Sequence, residues 1–226
     1  MINKEKMMGL PRMFFRQGIG GAADPENRLR DEPMVWRRNK LTSGGNGIID
    51  GGVHYVDLLI YFFGEPDEIY ARVDNLSQFQ FPDAEKHYVA QTVEDTALAT
   101  ITFENGVMGQ WVSTSAAPGH GMGYNSYHGS LGSIYSGGGY PQEPELQLWD
   151  GSKRQKEDLQ RAYLESLSPE EKERLFPHSI TEGVALEVYD FLDAVRHRRR
   201  PELDGVDGLK AQAVCNAIHE SGWCGE

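Results

Sequence analysis

Three residues in the first half of the chain have the types and spacing for proton chemistry: Asp50, His54 and Asp57. Offsets of four and seven put them on one face of a helix, at its start. They make a polar stripe on an otherwise apolar segment. A histidine so placed suits acid/base work on a hydroxyl, oriented by a carboxylate. The positive end of the helix dipole favours its neutral form, which a base needs. Gly51 and Gly52 leave room for a ligand to approach the backbone. Each residue also has a bland reading: Asp50 as helix cap, His54 as a satisfied core histidine, Asp57 bonded to a backbone amide. Taken together, the trio favours a site. A metal centre from His54, Asp57 and His128 has no H-E-x-x-H or paired Cys/His spacing behind it. There is no G-x-S-x-G elbow and no Walker loop.

These residues need a helix to carry them, and Asp50 to Pro66 supplies one, with an apolar body closed by Gly64 and Pro66. The preceding residues 1–47, broken by Pro11, Pro25 and Pro33, predict loops, a short helix and one strand at most. Within them Gly18 to Ala23 spells G-x-G-x-x-A. Arg16 and Gln17 before it and Pro25 and Pro33 after it deny that pattern its strand and helix, so no dinucleotide-binding domain is expected. From Asp67 the period becomes two, predicting strands near 67–75, 95–103 and 107–115. Asn105-Gly106 joins the last two as a hairpin. Shorter strands follow near 125–129, 132–136 and 145–149. Ser168-Pro169-Glu170-Glu171 opens a helix as a capping box. Val184, Val188, Phe191, Leu192 and Val195 keep helical spacing, as do Leu209, Ala213, Ala217 and Ile218. The order predicts an α+β fold, a large, mainly antiparallel sheet with helices packed on one face.

Composition narrows the function. The 226 residues carry 22 basic and 34 acidic side chains, a net charge of −12, with 39% hydrophobic residues. Such a surface repels nucleic acid. Arg196 to Arg200 reads as cations closing a helix. The longest apolar run, Leu58 to Phe63, is too short to span a membrane, and no secretion signal precedes it, so a cytoplasmic location is expected. Cys215 and Cys224 are too few for a disulfide framework and read as reduced packing residues.

Trp36-Arg37, Ser43-Gly44-Gly45, Asp50-Gly51-Gly52-Val53-His54-Tyr55-Val56-Asp57 and Phe63-Gly64-Glu65-Pro66 together resemble the C-terminal domain of the Gfo/Idh/MocA oxidoreductases, the glucose-fructose oxidoreductase and inositol dehydrogenase relatives. The similarity runs on through Val93-Glu94-Asp95-Thr96, His128-Gly129-Ser130, Phe191-Leu192-Asp193-Ala194 and Asp207-Gly208-Leu209 to Ser221. It divides the chain into an irregular segment, 1–35, and a substrate-binding domain, 36–226. The resemblance implies NAD or NADP as cofactor and a sugar or cyclitol as substrate, with oligomers formed through the sheet. It makes Asp50 and His54 catalytic and gives Asp57 a supporting role. Trp36, Arg37, Tyr124, Tyr127 and His128 then line the sugar pocket. Two family features are missing: a Rossmann domain ahead of this one, and a catalytic Lys in E-K-P, since neither Lys6, Lys86 nor Lys172 is followed by Pro. The expected function is therefore the substrate-binding, acid/base half of an NAD(P)-dependent oxidoreductase, with the Rossmann domain in trans or lost. The alternatives are a non-catalytic oligomerisation or carbohydrate-binding module, and a metal-dependent or cofactor-free keto-sugar epimerase or lyase.

Overall fold

The strands are β1 (Pro11–Ile19), β2 (Pro66–Asp74), β3 (Thr96–Phe103), β4 (Met108–Thr114), β5 (Met122–Gly129), β6 (Gly132–Gly137), β7 (Glu145–Leu148) and β8 (Lys153–Arg154). In the computed structural model, which describes residues 7–21, 36, 37, 39–76, 93–137 and 143–224, they form one sheet in the order β2-β3-β4-β1-β5-β6-β7-β8. Only β1 and β4 run parallel; every other neighbouring pair is antiparallel. The stretch expected to hold one strand at most thus supplies β1 to the middle of the sheet.

Along β3, Ala97, Ala99, Ile101 and Phe103 are buried while Leu98 and Thr100 are exposed, so one face is core and the other open. The helices are α1 (Lys40–Ser43), α2 (Gly52–Phe63), α3 (Lys156–Ser166), α4 (Pro169–Leu175), α5 (Gly183–His197) and α6 (Gly205–Cys224). The α2 and α6 helices bury their apolar sides on the core face, where Leu59, Phe63 and Ile218 join Phe14, Ile101, Phe103 and Trp111. Phe14 stacks on Phe63 with centroids 5.8 Å apart, and Phe103 meets both rings edge-on.

One turn fixes where α2 ends. In the β3–β4 turn, Gly106 adopts φ +83°, a region open to glycine. The Asn105 Nδ2 donates to the Phe63 carbonyl at 2.9 Å, tying the hairpin to the end of α2. The expected capping box at Ser168 is present, with Ser168 and Glu171 bonded reciprocally. Helix α3 was not legible, because Leu159 is its one buried residue. Helix α5 forms where the spacing predicts it, yet Val184, Val188, Phe191, Leu192 and Val195 are 53–64% exposed. Among the described residues, no helix is long and apolar enough to cross a membrane.

Candidate active site

The chain enters α2 through a π-turn, Gly47–Gly51, in which Asp50 N–H donates to the Asn46 carbonyl at 2.7 Å. Asp50 is therefore not the helix cap that the sequence suggests. That position falls to Gly51, with no side-chain cap. A distant side chain does the capping work instead. The Oε1 of Glu94, a residue only 4% exposed, accepts the N–H of Asn46 at 2.9 Å and of Ile48 at 3.1 Å. From α6, His219 Nε2 stands 3.4 Å from the same oxygen. Burial works to raise the Glu94 pKa, but the His219 ring and the two amides outweigh it and hold the carboxyl below its ordinary range. On the other side the helix start is pressed against β4: a Cβ at Gly52 would come within 2.3 Å of the Trp111 ring. Wide π-turns of this kind are enriched at functional sites.

This frame presents Asp50 outward, its carboxylate 3.2 Å from the Arg37 guanidinium. Arg37 in turn lies 5.4 Å from the ring centroid of Trp36, which is half exposed. Three of the residues singled out by sequence thus meet at one place. His54 is exposed in the first turn of α2, and Asp57 follows one turn later, half-buried. Among the described residues neither has a hydrogen-bond or ion-pair partner.

The stretch Tyr124 to His128, expected to line the same pocket, is divided between two faces by strand alternation. Tyr127 is on the core face, its ring 5.5 Å from Phe62 of α2. Tyr124 packs on Tyr135 at 5.1 Å on the open face, across the sheet from α2. His128 shares that open face, edge-on to Phe15, with its ring nitrogens 2.8 Å from the Ser126 and Ser133 hydroxyls. Burial lowers its pKa, favouring the neutral ring. Both ring nitrogens thus have hydroxyl partners within the sheet.

Sequence reasoning missed the polar group beneath α2. Arg16 of β1 lies 4.2 Å above the Tyr55 ring. The buried Tyr55 hydroxyl has its pKa raised, first by burial and then by Tyr127, against the weaker pull of Arg16. Burial raises that of Tyr127 too, with Arg16 and Tyr55 opposing. Both phenols stay neutral. The arrangement can thus offer an accessible imidazole, an anchored carboxylate and a guanidinium to a hydroxylated ligand.

Among the described residues no group of three or more His, Cys, Asp or Glu is placed to hold a metal. Nor do they form a strand-loop-helix cradle for a dinucleotide: Gly18 lies within a strand paired on both sides, and Gly21 bridges to Ala116. A nicotinamide would have to be held by residues other than these.

The match to a family model, "Oxidoreductase family, C-terminal alpha/beta domain", spans residues 9–222, and the chain belongs to the Gfo/Idh/MocA oxidoreductase family as a domain of that C-terminal type. No curated protein sequence matches it. Solved structures with the same fold include the aldose-aldose oxidoreductase of Caulobacter crescentus complexed with glycerol, 20% identical with a TM-score of 0.69, over 98% of this chain and 56% of that one. The WlbA dehydrogenase of Bordetella pertussis, in complex with NADH and UDP-GlcNAcA, is 20% identical with a TM-score of 0.66, over 98% and 56%. Levoglucosan dehydrogenase, in complex with NADH and levoglucosan, is 21% identical with a TM-score of 0.68, over 98% and 59%. The chain therefore spans little more than half the length of these relatives.

Proposed function

We propose that this chain is the substrate-binding and acid/base half of an NAD(P)-dependent oxidoreductase acting on a sugar, cyclitol or glycoside hydroxyl, completed by a Rossmann domain. The observation that carries this reading is the exposed His54 at the head of α2, beside an Asp50 held by Arg37 at 3.2 Å. In the reaction the substrate's carbinol C–H and O–H bonds break and a C=O bond forms. His54 accepts the hydroxyl proton while Asp50 and Arg37 fix the hydroxyl's approach. The nicotinamide, when bound, supplies the hydride acceptor. The open sheet face, with Met13, Tyr70, Leu98 and Met108 exposed, fits a contact between copies of the chain.

The test is complementation. The chain is mixed with, or fused behind, a Rossmann domain from a full-length family member, and reduction of NAD or NADP is followed at 340 nm across a panel of sugars and cyclitols. Turnover is expected, and His54→Ala should abolish it while changing stability by less than about 0.5 kcal/mol, since the side chain is exposed. Absence of turnover with every Rossmann partner, or turnover indifferent to His54, refutes the reading. A non-catalytic module predicts sugar binding that His54→Ala leaves intact.

A further inference from the structure

Beyond the start of α2 the sheet is indented. Arg16, Gly18 and Gly20 from β1 and its exit, with Asn125, Gly123 and Gly121 from β5 and its entry, border a trough of about 510 Å³. Arg16 is the ladder partner of Asn125, and Gly18 that of Gly123. Alternation puts these four on the face that carries Phe14, Tyr127 and α2. A Cβ built at Gly18 or Gly20 meets nothing within 4 Å. The trough is thus space that two facing runs of alternate glycines leave open.

Two polar groups stand at its inner end. Asn125 is 7% exposed, lines the trough, and has a buried Oδ1 with no hydrogen-bond partner. Buried acceptors are nearly always satisfied, so this one points to a donor brought by a ligand. Arg16 is half-buried and, among the described residues, has no carboxylate partner; its close neighbours are the neutral Tyr55 and Tyr127. A guanidinium left without an anion, in a chain of net charge −12, is a place kept for an anionic ligand group.

We propose that this trough is the subsite for the carboxylate end of a sugar acid, with the carboxylate on Arg16, a ring hydroxyl donating to Asn125 Oδ1, and the ring lying over the glycines. The proposal rests on the reading of the chain as the substrate half of a sugar oxidoreductase and names the class of sugar. A neutral hexose leaves Arg16 uncompensated. A planar, singly charged carboxylate matches one guanidinium fork, whereas a phosphate dianion calls for further cations.

The full chain is titrated by saturation-transfer NMR with D-glucuronate and D-galacturonate, with D-glucose and D-galactose, and with glucose 6-phosphate. At least one uronate should bind ten-fold or more tightly than its parent hexose and than the phosphate ester. Arg16→Met should erase that preference. Gly18→Val, whose side chain enters open space and so leaves the fold intact, should block uronate binding. Equal affinity for uronate and hexose, a preference for the phosphate, uronate binding indifferent to Arg16→Met, or no binding at all would overturn the subsite. The two readings fail separately. Turnover on neutral sugars that depends on His54, without uronate preference, removes the subsite alone; selective uronate binding without turnover in any complemented mixture removes the oxidoreductase reading alone.

Discussion

Glu94 holds the π-turn from below, and its removal has a size that the structure sets. In Glu94→Ala the N–H groups of Asn46, part-buried, and Ile48, buried, lose their acceptor. An unmet buried donor costs about 1–3 kcal/mol, so two give about 4 kcal/mol. For a chain of this size that corresponds to a fall in melting temperature of about 8–16 °C. Glu94→Gln keeps an acceptor in place and loses only the charge. Charge-assisted bonds are about twice as strong as neutral ones, so this variant should lose about 1–2 kcal/mol. The sign with pH follows from the lowered pKa of Glu94. Its charge stabilises the fold above the unfolded carboxyl's pKa, about 4.3, and that contribution disappears as pH falls through the lower folded value. The gap between wild type and Glu94→Gln should therefore be full at pH 6–7 and shrink as pH falls below the unfolded carboxyl's pKa, about 4.3. Subtracting the two curves removes the other carboxylates, which both proteins share. Urea unfolding followed by tryptophan fluorescence and far-ultraviolet circular dichroism measures the series. An alanine variant within about 1 kcal/mol of wild type, or a gap that widens in acid, would falsify the clamp.

Other outcomes follow from packing and burial. A Cβ at Gly109 would sit 2.2 Å from the Phe14 carbonyl oxygen, so Gly109→Ala must part β1 from β4; a loss of about 3 kcal/mol or more is expected by chemical denaturation. Burial pushes the Cys215 thiol up to about 12, while Cys224 is exposed. A thiol-reactive dye should label one cysteine in the native chain and the second only in denaturant; rapid labelling of two refutes that burial. Ser168→Ala removes the side-chain half of the α4 capping box and should cost about 1 kcal/mol.

The parts of this fold built by local rules were legible in the sequence. Asn105-Gly106 specified its hairpin, the body of α2 announced itself by its apolar run and its Gly64 stop, and Ser168 capped α4 as its motif required. What escaped was built at a distance. The capping of the π-turn comes from Glu94, 46 positions from Ile48 in sequence. No local pattern could name it, although Val93-Glu94-Asp95 stood within the family resemblance. Strand β1 was obscured because its core-side positions read Phe14, Arg16, Gly18: only the first serves the core, and the others face a trough. A strand whose inner face is given over to a ligand loses the alternation that would betray it. Sequence could not reveal that the Ser126 and Ser133 hydroxyls stand 2.8 Å from the two ring nitrogens of His128. Helix α5 kept the period of a buried helix while leaving its apolar stripe in the open.

The central position of β1 also governs how the molecule must be assembled. Met13 pairs with Met108 on one side and His128 on the other, so the first of the described strands is held between two that come some 90 to 115 residues later in the chain. Without it, the strand order leaves two separate antiparallel blocks, β2-β3-β4 and β5-β6-β7-β8, each with an unpaired edge. Long-range pairing of this sort is slow, and open edges recruit strands from other chains. One nine-residue strand joins the halves, covers both edges and, with Arg16 beside Asn125 and Tyr55, forms one wall of the trough. Chains that misassemble should therefore lose solubility and the binding face together.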